Sequence, residues 1–538
     1  MSARVVLGVV LLATAAVGAM QPALGQSASP NVSIVGVLPN PATEGDRGEY
    51  VLVNVSGPAD VGDLVLADGE DVVRLPDRTV DGAVAITDDP VVAGPLAGET
   101  VVRVPEMLAL SNAGETVEIR RDDRVLDVAQ YEDAPEAEVY RNGRWTHLGA
   151  TDFDVANREE VPVRAFALPD APGVTFETLR GADDRILLAG YTLTSPRVVD
   201  ALRTAERRGV DVSVLVEGGP VGGVASRQKR ALDVLAADGV RVVVSGGRRA
   251  RYDFHHAKYA VVDRRALVTS ENWKPSGVGG HASRGWGVLI RNADLADHLA
   301  RVFAADADGL DARPWRSVEP EGYPADVATA TFPARFPARR FTADDVRVIA
   351  APDNAEPALR TLLGGAEESI RIEQVSVDPT GPLYRSTIAA ARRGVAVRVL
   401  LSGAWYVEAD NRAVVEALRR LARRESLPLE AKIVEPRSRY DHVHVKGVIV
   451  DGRRTVVGSV NWNPHSLREN REVAVVIDDP AVGRYYGRLF RADWRGASWR
   501  VHWITLGVLV VATVGSLWWG SRIDFRDDGG EVVLDWTA

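Results

Sequence analysis

The sequence predicts an α/β fold built from two copies of one unit, arranged as two pseudo-twofold-related mixed sheets flanked by helices. A small all-β domain precedes them and a transmembrane helix follows. Three observations predict this. The segment AERRGVDVSVLVEG recurs 185 residues later as AARRGVAVRVLLSG. The segment HHAKYAVVD, at 255–263, recurs as HVHVKGVIVD at 442–451. Strand-like and helix-like periodicities alternate around both copies, which is how a duplicated α/β unit reads.

In chain order, residues 1–25 read as a secretory signal: Arg4, the apolar run VVLGVVLLATAAVGAM, and the small residues of PALGQSAS. Left uncleaved, the same segment is an N-terminal anchor that puts the body of the chain on the same outer face. Residues 31–135 alternate short β-type runs such as EYVLVNVSG and ETVEIRRDDRVLDVAQY with Gly, Asp, Asn and Pro. That texture belongs to an all-β sandwich, and no long helix fits there.

The first α/β unit, 160–311, runs through the strand RILLAGYTL, an amphipathic helix with Val198, Leu202 and Ala205 on one face, the strand VDVSVLVEGG and the helix ASRQKRALDVLAADG. The second, 345–495, repeats the order through SIRIEQVSV, LYRSTIAAARRG, VAVRVLLSG and NRAVVEALRRLARRE. Between them, 312–344 is rich in Pro and Arg and lacks a period, and reads as a linker draped over the surface. Residues 501–520, VHWITLGVLVVATVGSLWWG, are uncharged and reach ~30 Å at ~1.5 Å per residue. Trp499, Trp503, Trp518 and Trp519 border the stretch, as interfacial aromatics do. A membrane span is expected, the alternative being a buried helix; 521–538 is a short tail.

Composition narrows the chemistry. Sixty-four basic against seventy-four acidic residues give a net charge of -10, so no global attraction to nucleic acid or anionic membrane is expected. The chain has no cysteine, which excludes disulfides, thiolate metal sites and cysteine nucleophiles. Nine histidines are present, and the lysines are only Lys229, Lys258, Lys274, Lys432 and Lys446. Two of those five fall in the repeated motif.

That motif is His-x-Lys-x4-Asp: His256, Lys258 and Asp263, then His444, Lys446 and Asp451. A strand period of two sends Phe254, His256, Lys258, Ala260 and Val262 to one face, and His442, His444, Lys446, Val448 and Val450 likewise. His255 then points away, and His255 and His442 read as auxiliary or exposed. Downstream, each copy adds a serine and an asparagine, Ser270 with Asn272 and Ser459 with Asn461. Trp273 and Trp462 follow, and core packing is expected of them.

Two copies of His-x-Lys-x4-Asp followed by Gly-Ser-x-Asn resemble the phospholipase D superfamily over about 160–495. The second copy matches fully and includes Glu472 in ENREVAV. The first departs from it: Thr269 replaces the glycine, the spacing to Asn272 is one residue shorter, and Gly285 stands where Glu472 stands. The resemblance implies phosphodiester transfer or hydrolysis without metal or other cofactor. Lys258 and Lys446 would neutralise the phosphate oxygens, with Asn272, Asn461 and Ser459 as neutral partners. One imidazole would attack phosphorus and form a phosphohistidine while the other protonates the leaving alcohol. By analogy with the family, His256 is the nucleophile and His444 the acid. Asp263, Asp451 and Glu472 are candidates for catalytic or orienting support, although the two aspartates could simply cap the turns after their strands. Because Glu472 lacks a counterpart, the two histidines are not expected to titrate alike.

Residues 31–135 resemble the lamin-tail domain, an immunoglobulin-like binding or spacer module, with its ligand open. Three functions follow from these readings. The first is a phospholipase D or phosphatidyl transferase held by its anchor beside the outer leaflet. The second is an extracellular nuclease using the local positive charge of SGGRRARYDFHH, Arg437, Arg439 and RRLARR. The third is an anchored, non-catalytic binding protein. A phosphodiester substrate, membrane attachment through the C-terminal helix and a monomeric state are expected.

Overall fold

The computed structural model describes residues 31–496 apart from 42, 98–99, 137, 142, 148–150, 248–249, 310, 319, 321, 326 and 437, together with 512, 513, 516 and 518. The segment read as a signal lies outside the described residues, and so does almost all of the span 501–520. Among the described residues no helix is long and apolar enough to cross a membrane. The chain divides into two compact units, 1–146 and 147–538.

The first unit holds β1 (Val32–Leu38), β2 (Tyr50–Asp60), β3 (Leu64–Ala67), β4 (Val72–Arg74), β5 (Thr79–Thr87), β6 (Thr100–Arg103), β7 (Gly114–Arg121), β8 (Arg124–Glu132), β9 (Glu138–Arg141) and β10 (Arg144–His147). They form a six-stranded sheet in the order β10-β9-β1-β2-β5-β6 and a four-stranded sheet in the order β4-β3-β7-β8. Val37, Val53, Ile86, Leu66, Val117 and Ile119 from both sheets bury one core. Two details depart from the sequence reading. A short helix, α1 (Pro90–Ala97), precedes β6. The domain also runs past 135, because EVYR and RWTH flank an Asn-Gly pair that favours a tight hairpin.

The second unit begins with β11 (Ala156–Leu168), α2 (Gly173–Arg180), β12 (Arg185–Gly190), α3 (Pro196–Arg207), β13 (Asp211–Glu217), α4 (Ser226–Ala237), β14 (Arg241–Ser245), β15 (Tyr259–Val262), β16 (Arg265–Thr269), β17 (Ser283–Ile290), α5 (Ala293–Ala307) and β18 (Ala312–Pro314). It continues with β19 (Arg339–Ala351), α6 (Ala355–Gly364), β20 (Ser369–Gln374), α7 (Pro382–Arg392), β21 (Ala396–Leu401), α8 (Glu408–Glu425), β22 (Leu429–Ile433), β23 (His442–Val443), β24 (Lys446–Val450), β25 (Arg454–Gly458), α9 (Pro464–Arg468), β26 (Glu472–Asp478) and α10 (Pro480–Arg495).

The expectation of two sheets is corrected here. One continuous sheet runs β18-β14-β13-β12-β15-β16-β17-β11-β19-β26-β25-β24-β20-β21-β22, with β23 beside β17. Leaving out β18 and β23, the order reads the same outward from the central β11–β19 pair, so the duplication survives as a palindrome. That pair is antiparallel, with Val161 opposite Ala343 and Val163 opposite Phe341. It fuses the halves because both strands are long, 13 residues each. The linker reading is therefore corrected at its end: β19 starts at Arg339, inside 312–344. Its charged first half, RRFTADDVR, hides the apolar second half that fills the sheet centre.

Alternation across the sheet separates the cores. In the first half, Ile186, Val212, Val214 and Val242 pack under α3 and α4 through Val198, Leu202, Leu232 and Leu235. In the second half, Ile370, Val397 and Val399 do the same under α6, α7 and α8. The other face carries α5 and α10, and there Val261, Trp286, Leu299 and Phe303 share one cluster with Ile449, Val457, Tyr486 and Phe490. This shared core ties the repeats together. The site lies where they meet.

Candidate active site

Neither motif histidine sits inside a regular strand, contrary to the period-two reading. β15 begins at Tyr259 and β24 at Lys446, so His256, Lys258 and His444 lie on the extended approaches to those strands. Each approach is fixed by the opposite half. The His256 N–H donates to the Arg471 carbonyl at 2.9 Å, and the His444 N–H to the Arg284 carbonyl at 2.9 Å. Alternation still holds: Ala257 and Val445 enter the shared core while the histidines and lysines face the site.

The side chains are likewise held across the two halves. His256 Nδ1 lies 2.8 Å from Glu472 Oε1, and His444 Nδ1 lies 2.9 Å from the Ser270 carbonyl. Lys258 Nζ donates to the His256 carbonyl at 2.5 Å and Lys446 Nζ to the His444 carbonyl at 3.0 Å. Both lysines are buried, while the imidazoles keep 14% and 17% of their surface exposed. The rings are therefore the reachable part of the cluster.

Burial pushes the His256 imidazole down to about 4, against the pull of Glu472. Burial and the Lys446 and Lys258 ammonium groups hold His444 well below the ordinary histidine range. Lys446 is pushed down to about 8 by burial, opposed by Glu271 and Glu472, and burial holds Lys258 well below its ordinary value. Burial also raises the Glu472 carboxyl, but His256 and Lys258 outweigh it and keep Glu472 ionised. Two lysines and two imidazoles converging in a desolvated site are chemically suited to hold the oxygens of a phosphate.

Several predicted residues fall elsewhere. Asp263 and Asp451 are removed from the histidines and cap backbone turns, which corrects their catalytic reading. Asp263 Oδ1 accepts from the N–H groups of Asp183, Asp184 and Arg185 at 3.1, 2.9 and 3.2 Å. Asp451 Oδ1 accepts from Glu367, Glu368 and Ser369 at 3.3, 2.8 and 2.9 Å. Each aspartate sits at φ 53° and pairs with the arginine that opens the next strand, Arg265 or Arg454. Ser459 is also corrected: its hydroxyl is fully buried and exchanges hydrogen bonds with the Val473 backbone. It supports the strand that carries Glu472. Asn272 and Asn461 are half-buried with Oδ1 unpartnered. Trp273 and Trp462 are core residues.

Other charged groups also lie elsewhere than the sequence suggests. His255 is not exposed; it is fully buried with Nε2 3.3 Å from Asp306. Arg251 and Arg439 do not form an accessible basic groove either, being buried against Asp311 and Asp493. Arg248, Arg249 and Arg437 lie outside the described residues. In RRLARR, on the outer helix α8, Arg420 and Arg424 pair with Glu416 and Glu425.

Sequence reasoning missed four groups. Arg284 binds Asp170 and Asp493, and Arg471 binds Asp306 and Asp353, as two symmetry-matched buried networks just behind the site. The available signal was the Arg before Gly285 and before Glu472. Tyr191 sets its ring edge-on to His256 with centroids 4.9 Å apart. Glu271 approaches His444 Nδ1 with Oε2 at 3.5 Å. Beside these groups opens a cavity of about 610 Å³ lined by Tyr191, Val221, Tyr323, Val327, Trp405 and Lys274 among others.

A palindromic α/β sheet that brings two His-x-Lys copies to one site defines the phospholipase D-like class. Residues 176–307 and 359–494 match the family model described as "Cardiolipin synthase, PLD-like domain". Both halves of the second unit are PLD-like domains of that family. Among curated relatives, cardiolipin synthase A of Buchnera aphidicola subsp. Baizongia pistaciae is 28% identical over 132 residues, 24% of this chain and 26% of that protein. The mitochondrial cardiolipin hydrolase of Danio rerio is 25% identical over 115 residues, 21% and 46% of the two chains. The chain thus spans between about a quarter and a half of the length of these relatives. Phosphatidylserine synthase of Haemophilus influenzae Rd KW20 overlaps 60% of this chain and 84% of its own, at 15% identity and a TM-score of 0.46.

Proposed function

We propose that this chain is a phosphatidyl transferase or phosphodiesterase acting on phospholipid. One observation carries the proposal: each reactive imidazole is held at Nδ1 by the opposite half, His256 by Glu472 and His444 by Ser270, which leaves Nε2 of His256 for substrate and sets Nε2 of His444 beside the Lys446 ammonium at 3.2 Å. His256 Nε2, neutral at pH 7, attacks phosphorus. The P–N bond forms as the P–O bond to the leaving alcohol breaks, and His444, which takes up a proton when the anionic phosphate binds beside it, donates that proton to the alcohol. Water or a second alcohol, deprotonated by His444, then attacks phosphorus and releases His256. Lys258 and Lys446 carry the charge that builds on the phosphoryl oxygens, with Asn272 and Asn461 beside them.

Three features support lipid over nucleic acid. The family description and both curated relatives concern cardiolipin. The cavity lined by Tyr191 joins aromatic and aliphatic side chains to polar and cationic ones, Arg227, Gln228, Lys274 and His442, a mixture that suits an amphipathic phospholipid, and its Val221 and Trp405 are 76% and 88% exposed. Two of the arginines expected to track a nucleic-acid backbone, Arg251 and Arg439, are spent in internal ion pairs. We further propose that the chain is exported and held at the outer membrane face by 501–520, which would set that cavity against lipid. The two sheets closing on one core support the lamin-tail-like, immunoglobulin-like reading of 31–135, as a module with a separate binding role.

The test offers purified, detergent-solubilised full-length protein labelled phospholipid vesicles and single-stranded DNA in parallel, with and without chelator. Release of a headgroup alcohol, unaffected by chelator, is the expected result. Strand cleavage instead would move the chain to the nucleases, and loss of activity on chelation would defeat the metal-free mechanism.

A further inference from the structure

The two halves correspond position by position around the site, and two departures from that correspondence meet in space. On β26, Glu472 lies opposite Ala351; at the same step of β17, Gly285 lies opposite Leu168. Conversely, Glu271 stands between Ser270 and Asn272, where the second half has Val460 between Ser459 and Asn461. Val460 is an ordinary core residue. Glu271 is buried and polar.

A Cβ added to Gly285 would fall 2.3 Å from Glu271 Cγ and 2.4 Å from Oε1. The Glu271 side chain therefore occupies the volume that a glutamate at 285 would need. Its Oε2 accepts from Ser283 Oγ at 2.8 Å and lies 3.5 Å from His444 Nδ1, while Oε1 is buried without a partner. Glu472, arriving from the other half, holds Nδ1 of His256 directly at 2.8 Å, whereas Nδ1 of His444 bonds the Ser270 carbonyl at 2.9 Å with the Glu271 carboxylate just behind it.

We propose that Glu271 is the positioning carboxylate of His444, a relocated counterpart of Glu472. From the loop after β16 it backs the Ser270 carbonyl that holds Nδ1 and stabilises the imidazolium that forms when His444 takes a proton. The glutamate that seemed to be missing from the first half is thus supplied one strand away. The role rests on reading His444 as the acid of the proposed reaction. Burial raises the Glu271 carboxyl to about 7, against the pull of Lys446, so it gains charge across neutral pH. His444 is otherwise faced by positive or neutral groups, Lys446, Lys258, His256 and His442. Glu271 is the carboxylate within reach of its ring. A rival role, mere countercharge to the three lysines Lys446, Lys258 and Lys274, predicts no effect of where the carboxylate is attached.

The experiment moves the carboxylate. Full-length wild type, Glu271→Val, Glu271→Gln and the double variant Glu271→Val/Gly285→Glu are compared in two readouts: His444 titration by NMR of 13C-labelled histidine, and the kcat pH profile on phospholipid. Both single variants are expected to lower the His444 pKa and to cut kcat about 10- to 100-fold with little change in KM, the usual effect of losing a histidine's orienting partner. The double variant regains most of both, because its new glutamate grows into the vacated volume at the step where Glu472 serves His256. An unshifted His444 titration in Glu271→Gln, which keeps the shape, overturns the proposal. So does a folded double variant, judged by its melting curve, whose His444 titrates as in Glu271→Val. The titration needs no substrate, so a wild type inert toward phospholipid would count against the proposed function and leave this test standing.

Discussion

Replacing Asp451 with alanine should lower stability and spare catalysis, the reverse of what a catalytic aspartate would do. Its Oδ1 gathers the N–H groups of Glu367, Glu368 and Ser369 at the entrance to β20, and Oδ2 lies 2.6 Å from Arg454. Losing an aspartate cap typically costs about 0.5–2 kcal/mol. At φ 53° the aspartate is eased by its own local hydrogen bonds, and an alanine, which has none, gives up about 1 kcal/mol more. Together these give about 1.5–3 kcal/mol. With an unfolding entropy of roughly 2.1 cal/mol/K per residue, a unit as large as 147–538 then loses roughly 2–4 °C in Tm. Asp451→Asn, which keeps an acceptor and tolerates that φ, should lose less.

The pH dependence has a definite sign. Burial raises the Asp451 carboxyl, but the three N–H groups and Arg454 outweigh it and hold the folded-state pKa below the ordinary value. Its contribution is therefore complete above about pH 4, the unfolded value, and is lost as pH falls through the folded value. The wild-type advantage over the alanine variant should narrow there. Differential scanning fluorimetry against pH, with phosphodiester turnover measured well below Tm, separates the two roles. A loss of kcat beyond about 100-fold with Tm unchanged would refute the capping argument and restore Asp451 to the chemistry.

Other outcomes follow from the same geometry. His444→Asn should reduce kcat by about 10²- to 10⁴-fold, and His256→Asn should abolish a trapped phosphohistidine on intact-protein mass spectrometry; activity surviving both changes would defeat the site. Lys446 loses its charge as pH rises through about 8, well below the ordinary lysine range, so kcat/KM should fall on an alkaline limb near that pH. Lys446→Arg, whose charge does not titrate, should remove that limb even if its activity is low. Arg471→Met strands Asp306 and Asp353 in the interior and should cost about 3–5 kcal/mol in denaturant unfolding. Trp405→Ala should weaken turnover of vesicle phospholipid more than of a short-chain soluble analogue, because its ring is 88% exposed at the cavity rim.

The sequence by itself determined the duplication, the alternation of strands and helices, and the two histidines and two lysines of the site. These are local signals: a repeat preserves spacing, and period-two and period-3.6 patterns are written along the chain. What the sequence could not decide is which groups meet across the repeats. β11 and β19 pair over positions such as Val161 and Ala343, and that pairing turns two expected sheets into one. The same closure carries Glu472 to His256, Ser270 to His444, and Asp306 and Asp493 to arginines of the opposite half. Asp263 and Asp451 left the chemistry because a strand only 4 or 5 residues long already places its two ends at different surfaces. Glu271 shows the limit most directly. Position by position Gly285 looks like a missing carboxylate, and only packing in three dimensions shows that the neighbouring strand fills the gap, since volume and charge are conserved in space and not along the chain.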